Sequence, residues 1–443
     1  MSDAALVGLI LVVGMFGLMA IGVSVSVSIG LPSAICLVIL MGPESGIFTS
    51  AQKIYNGIDS FALLAIPLFV LAGAIMNQGG IAARLINLAK AITGPAPGAL
   101  AQTNVLANML FGAISGSALA GASAVGAIMA PEEEKDGYDM GWAAAVNVAS
   151  APSGMLIPPS NTTIVYALVS QASVGALFLA GYIPGILWGL TCMVIIYFYA
   201  RKRPGLKGEG WPKPVEFLKS LWGALPSVSL ILIVIFGIVG IPGLTKAFFT
   251  PTEGAAVAVV YALFLSFVYR TISIRDIPKI LLSATRTSSV VIFLIALSQI
   301  MSYAMTFAGI PELIGEWMTS ITDSSVVFLL IMAIVLLVVG IPLDATPAVL
   351  VFTPIFLPIA QGYGIHPVHL GMMMIFNMCL AVISPPSAPV LFVGARVAGK
   401  KVEDVIKPLM PFFLALIGML LVVQYVPALS LAIPKAMGLI VGA

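Results

Sequence analysis

Long apolar runs alternate with short polar breaks from one end of this chain to the other. The runs at 4–21, 23–41 and 61–76 each predict a membrane span, since crossing a ~30 Å hydrocarbon core takes about 20 helical residues. Between the second and third, 43–60 is polar and amphipathic. Residues 81–92 carry Arg84 and Lys90 on an amphipathic pattern, which predicts an arm lying at the membrane interface. The apolar run 99–130 is interrupted by Ile114-Ser115-Gly116-Ser117. Each half is about 15 residues, or ~23 Å as helix, too short to cross. Two short arms around a Ser-Gly-Ser tip predict a re-entrant hairpin; one tilted helix with a small-residue packing face is the alternative.

The next run contains Ser153-Gly154-Met155-Leu156-Ile157-Pro158-Pro159-Ser160-Asn161-Thr162-Thr163. Two adjacent prolines remove two amide donors, so no unbroken helix passes through them. At bilayer depth the freed backbone groups need protein, ion or water as partners. We therefore expect a broken helix over 141–172. The break recurs as Ser384-Pro385-Pro386-Ser387, predicting a second broken helix over 371–398. Setting Pro158 on Pro385 also sets Pro131 on Pro358, Pro184 on Pro411 and Ser117 on Asp344. With a short slip, Asn147 falls on Asn377. An internal repeat of about 220 residues follows. The first copy would cover 1–201, with scaffold helices over 1–60, and a linker 202–217 would lead to the second copy, 218–443. The second holds scaffold helices 218–270, an interfacial arm 271–287 bearing Arg275, Lys279 and Arg286, and a span near 288–305. A hairpin over 324–357, interrupted at Gly340 to Pro347, and a last span near 409–426 complete it.

Composition fixes the class. The chain is 60% hydrophobic and 9% charged, against roughly a quarter charged in soluble domains, which predicts an all-α polytopic membrane protein. Helix-length runs, not alternating strands, exclude a β-barrel. Cys36, Cys192 and Cys379 are scattered through the spans, indicating neither disulfides nor zinc. No Lys or Arg precedes Lys53, so the first span is expected to stay in the protein rather than leave as a signal peptide. The densest basic loop, Arg201-Lys202-Arg203 with Lys207, Lys213 and Lys219, marks the cytoplasmic side. The first broken helix would then end outside and the second, at Lys400-Lys401, inside. Five crossings and a hairpin per half, about ten crossings in all, turn the second copy upside down. Inverted repeats with broken helices meeting near the midplane are the pattern of secondary transporters.

Breaks in membrane helices free carbonyls for a cation, and half-helix N-termini present positive dipole ends to an anion. The candidate cation ligands are the tip Ser115, Gly116 and Ser117 with Ser160 and Asn161. By the repeat, Gly340, Asp344, Ala345 and Thr346 with Ser384 and Ser387 form the second set. For each hydroxyl the alternative is a bond to its own helix. Asp344 is the only acid near a tip; intramembrane acids are functional by default, and Asp is also a favoured helix cap. The candidate substrate contacts are Pro159, Thr162 and Pro386 beside the breaks, Asn147 and Asn377, and Arg396. The asparagines either touch ligand or tie helices together; Arg396 either reaches the substrate or snorkels beside Lys400. Thr250-Pro251-Thr252-Glu253 predicts a helix start, with Glu253 as its cap partner.

Other chemistries fit poorly. Gly394 to Lys401 imitates a phosphate loop but lacks its Ser/Thr and its preceding strand. His366 and His369 are expected in one extramembrane loop, far from Ser115 and Ser160, so no intramembrane hydrolase is indicated. A passive anion channel, or a differently coupled transporter without a binding protein, also uses broken helices and is the alternative reading.

Five stretches in order carry a family likeness: Ala65-Ile66-Pro67-Leu68-Phe69-Val70-Leu71-Ala72-Gly73, Ile114-Ser115-Gly116-Ser117-Ala118, Leu156-Ile157-Pro158-Pro159-Ser160, Phe249-Thr250-Pro251-Thr252-Glu253 and Ser384-Pro385-Pro386. Together they resemble the large membrane subunit of the TRAP (tripartite ATP-independent periplasmic) transporters, over nearly the whole chain. The resemblance implies no enzyme but an elevator-type transporter in a bacterial or archaeal cytoplasmic membrane, coupled to Na+. It also implies a small four-helix membrane subunit, expected as a separate polypeptide, and a periplasmic binding protein delivering an organic acid. Pro131-Glu132-Glu133-Glu134 is more acidic than is usual there. Asn161-Thr162-Thr163 and Ala388-Pro389 after the proline pairs leave substrate identity open.

Overall fold

Prolines open and glycines close several helices of this chain, as Pro214 and Gly240 do for one of them, while Pro131 and Pro184 sit inside helices. The computed structural model describes residues 3–440 except 207, 209, 241–244, 246, 386 and 387. In the first half, α1 (Asp3–Ala20) and α2 (Val25–Met41) are followed by α3 (Pro43–Ile58), α4 (Ala65–Gln78) and α5 (Ile81–Thr93). The first hairpin is α6 (Ala99–Ser115) and α7 (Ala118–Lys135). The first broken helix is α8 (Met140–Ser150), α9 (Ser153–Leu156) and α10 (Asn161–Ser170), and α11 (Val174–Arg201) closes the half. In the second half come α12 (Pro214–Val239), α13 (Pro251–Val268), α14 (Ile277–Phe307) and α15 (Ile310–Ile321). The second hairpin is α16 (Ser325–Val339) and α17 (Ala345–Gly362), and the second broken helix is α18 (Pro367–Ala381) and α19 (Pro389–Val397). The chain ends in α20 (Val402–Tyr425) and α21 (Ala428–Ala436). Among the described residues, eight helical segments are long and apolar enough to cross a membrane. This is an all-helical, multi-pass membrane protein.

The helices pack in two groups. An outer frame joins α4 to α13 and α14 to α2, α3 and α4. An inner group joins α6 to α7, α8, α9 and α11, and α18 to α16, α17 and α20. The groups meet where α4 touches α6 and α10, and where α14 touches α17. Within the inner group the two broken helices are tied directly: the Cys379 thiol on α18 donates to the Pro152 carbonyl at 3.5 Å.

Three expectations need correction. The segment 271–287 is not a separate arm, because α14 runs unbroken from Ile277 to Phe307. Its polar residues looked interfacial, but Ser283 and Thr287 line an open cavity and Ser288 is buried. The amphipathic helix of the second half is α15, which follows α14 as α5 follows α4. The first arm, α5, does form, but protein covers much of its apolar face: Ile81, Leu85, Ile86 and Leu88 are buried, and α6 and α12 pack on it. Finally, the acidic stretch after Pro131 is not all loop. The helix continues to Lys135, Glu133 is buried, and its Oε1 accepts from Asn104 Nδ2 at 3.2 Å.

Glycine lets the hairpin press against the broken helix. A methyl group on Gly112 of α6 would come within 2.3 Å of Gly154 Cα on α9, a backbone approach that only glycines allow. Gly112→Ala should therefore lower the unfolding midpoint in detergent, at a cost of about 1–3 kcal/mol typical of overpacking. Gly17→Ala, with nothing within 4 Å of the added methyl, should leave it unchanged. Equal midpoints for the two variants would refute this packing.

Candidate functional site

The two hairpin tips and the two helix breaks surround one cavity of about 400 Å³, within the range of small-molecule sites. Each tip is shaped by its own residues. Gly116 ends α6 with φ +60°, a left-handed value that suits glycine. A methyl there would lie 3.0 Å from the Pro159 carbonyl oxygen and 3.2 Å from the Asn161 nitrogen, so the tip rests on the helix break. Ser117 then turns extended and caps α7, its Oγ accepting from Ala120 N at 3.4 Å. At the second tip Asp344 caps α17, its Oδ1 accepting from Ala345 N at 2.9 Å.

Four helices begin at this cavity. Ala118 of α7, Asn161 of α10, Ala345 of α17 and Pro389 of α19 all line it and are all first residues of their helices. Each such end carries roughly half a positive charge and unpaired amides. Met155 and Val382, at the ends of α9 and α18, bring the opposite polarity of helix C-termini to the same space. Among the described lining residues Asp344 is the only ionisable one. The frame supplies the remaining wall, with Val70, Gly73 and Asn77 on α4 and Ser283, Thr287 and Val291 on α14.

Two hydroxyls behind this surface are incomplete. Ser115 Oγ and Ser160 Oγ are buried and find no hydrogen-bond partner in the protein. Leaving such a group unsatisfied costs about 1–3 kcal/mol, so each asks for a partner the chain does not supply. Hydroxyl, amide and backbone oxygens of this kind suit a small hard cation.

The structure sorts the candidates named from sequence. Ser115, Gly116, Ser117, Asn161, Thr162, Asp344, Ala345 and Thr346 meet on the cavity. Ser160 is buried beside it, and Pro159 lines a small gap behind it, against Phe69 and Leu230. Gly340 packs instead on Ala381, where an added methyl would meet Ala381 Cβ at 2.4 Å. Ser384 Oγ donates to Leu380 O of its own helix at 2.8 Å. Pro386 and Ser387 lie outside the described residues. Arg396 is exposed at the end of α19 and does not line the cavity.

Asn147 and Asn377 also stay away from the cavity, and both do the same job. Asn147 Nδ2 donates to Ala122 O at 2.8 Å, and Asn377 Nδ2 to Ala333 O at 2.9 Å. Each clamps a broken helix to an arm of its hairpin. Around Asn147 the clamp widens into a network, in which Asn108 Nδ2 lies 2.9–3.0 Å from Asn104 Oδ1, Asn147 Oδ1 and Ser150 Oγ. The histidines need a further correction. His369 is not in a wet loop but buried in the first turn of α18, between Ser430 Oγ at 2.6 Å and the Gln424 carbonyl at 3.1 Å. Glu253 is structural as expected, for both hydrogen bonds of the capping box with Thr250 are made. Asn77, Ser283 and Thr287 were missed, since facing the cavity is set by how α4 and α14 lie in the frame.

The fold is one seen in membrane transporters. It matches the crystal structure of the Alcanivorax borkumensis YdaH transporter with a TM-score of 0.62, at 15% identity over 86% of this chain and 88% of that one. Family membership comes from sequence. The profile described as "Tripartite ATP-independent periplasmic transporter, DctM component" matches residues 12–429, and the chain belongs to that family. The uncharacterized protein YgiK of Salmonella typhimurium is 49% identical, over 96% of this chain and 97% of its own length. The C4-dicarboxylate TRAP transporter large permease protein DctM of Pseudomonas aeruginosa is 39% identical, over 93% and 95%.

Glu133, in the charged turn that ends α7 beyond its apolar stretch, gives a pH test of the clamp. Burial pushes its carboxyl up to about 8, outweighing the lowering by Asn104, and the nearby Glu132 charge adds to the rise. A folded-state value above the unfolded one means stability is fullest below about 4.5 and is lost as pH climbs through 8. The unfolding midpoint should thus fall between pH 5 and pH 9, and Glu133→Gln should flatten that slope. An unchanged slope in the variant would remove Glu133 from this role.

Proposed function

We propose that this chain is the large permease subunit of a sodium-coupled importer of an organic acid. The observation that carries the reading is the convergence, among the described residues, of four helix N-termini and a single carboxylate on one cavity. The dipole ends favour an anion and need no Lys or Arg to do so. Asp344 would repel that anion unless a cation neutralised it, which supports coupling to a cation, and the surrounding hydroxyl and backbone oxygens suit sodium. Ser115, Gly116, Ser117, Ser160 and Asn161 would hold one ion; Asp344, Ala345 and Thr346 would contribute to a second. Thr162 and the frame residue Asn77 would face the substrate. A C4-dicarboxylate is the first substrate to try, because the Pseudomonas aeruginosa relative is named for one.

The cavity lies between the inner helix group and the frame, as an elevator requires, with the inner group carrying its ligands past the frame's fixed wall. Two copies in inverted orientation within the inner membrane would let one cavity open to either side. The tripartite family description supports two further components. We take these to be a small four-helix membrane subunit and a periplasmic binding protein.

Reconstitution in liposomes with both components tests the reading. Uptake of the organic acid should need a sodium gradient and the binding protein. Ser117→Ala and Asp344→Asn should each raise the half-saturating sodium concentration, the latter about tenfold or more, as for loss of one charged contact worth ~1.5–3 kcal/mol. Uptake indifferent to sodium would reject the coupling, and downhill flux without the binding protein would favour a passive pathway.

A further inference from the structure

A second pocket, sharing no lining residue with the central cavity, lies along α5. It has a volume of about 770 Å³ and is walled by Arg84 and Lys90 of α5, by residues 210–213, and by the first turns of α12 with Lys213 and Lys219. Glu216 is the only acid among its described lining residues. Lys90 is paired with Glu132, and the Arg84 guanidinium lies over the Tyr269 ring at 3.6 Å. Stacking of that kind uses the guanidinium face and leaves its edge N–H groups free to donate. Lys213 and Lys219 are exposed, and neither takes part in an ion pair among the described residues. Four cations thus face one acid across an open concavity.

Its height in the membrane narrows the ligand. α12 has 26 residues, which is ~39 Å of helix against a hydrocarbon core of ~30 Å. The first turns of α12 therefore stand in the headgroup layer, and the basic loop before them puts that layer on the cytoplasmic side. Trp211 is 78% exposed at the pocket, in the position an indole favours at a membrane interface. Directly below the lysines α12 exposes Leu221, Trp222 and Leu225. A soluble anion would leave that apolar strip bare, whereas acyl chains would cover it.

We infer that this pocket binds the phosphate headgroup of an anionic phospholipid of the cytoplasmic leaflet, with the acyl chains lying along α12. Lys213 and Lys219 contact the phosphate, and Arg84 donates from α5. The lipid braces α5, which packs on both the first hairpin and α12, so it is a joint between the inner group and the frame. The inference rests on the orientation set by the basic loop and not on the transported substrate.

The test uses the full chain in detergent, stripped of lipid, with binding read by native mass spectrometry and by the unfolding midpoint. Phosphatidylglycerol should bind and raise the midpoint, and phosphatidylcholine should not. The double variant Lys213→Gln/Lys219→Gln should lose phosphatidylglycerol affinity at least about tenfold. Arg275→Gln/Lys279→Gln, which removes exposed cations of α14 and its approach that do not line the pocket, should keep it. Equal binding of both lipids, or an unaffected double variant, would overturn the inference. Full stabilisation by inorganic phosphate alone would reassign the pocket to a free anion. Exclusion of phosphatidylglycerol by the small membrane subunit would show that a protein partner covers the pocket.

Discussion

A polar backbone group has nowhere to go inside a bilayer, and the centre of this protein is built around that constraint. Helices of the inner group end at Leu156, just before Pro158-Pro159, and at Ala381, shortly before Ser384. Each end must then be met by something other than lipid. The protein answers by stacking ends on ends: a hairpin tip rests on the first break, closely enough that Gly116 has no room for a side chain. The ends left over point into a shared cavity, where their dipoles become a resource for binding charged ligands.

Holding four helix ends together demands rigid walls behind them. Small residues give one part of that rigidity, since Gly112 and Gly154 bring backbones nearly into contact. Asparagine gives another. Asn147 and Asn377 satisfy carbonyls of the adjacent hairpin arms, and in the first half the network reaches through Asn108 and Asn104 to the buried Glu133. Polar residues buried in a membrane protein are usually read as ligand contacts. Here the two best-matched ones are fasteners, and the unpartnered hydroxyls at the cavity, Ser115 and Ser160, are the better pointers to a ligand.

Among the described residues no Lys or Arg is buried. Arg84, Lys90, Lys213 and Lys219 gather at one end of the frame, while the cavity holds a single carboxylate among its described residues. This division follows from desolvation, which makes a lone cation at bilayer depth costly and a cation in the headgroup layer cheap. A cavity lined by helix N-termini carries positive potential without that cost.

Hydrophobic run lengths, paired prolines and the spacing of basic loops determined the class of protein, the positions of both hairpins and both broken helices, and the tips that line the cavity. These features are local, because two adjacent prolines take two amide donors from one turn, whereas single prolines such as Pro131, Pro184 and Pro226 sit inside continuous helices. The sequence could not say which way a polar residue on a continuous helix faces. Ser283 and Thr287 of α14 therefore passed for an interfacial segment, and Asn77 for the polar end of a span. Nor could it separate Asn147 from Asn161, both polar residues of one broken helix, one facing the hairpin arm and the other the cavity. Those assignments depend on the rotation of each helix about its axis, which is set by packing between residues far apart in the chain and so exists only in the folded structure.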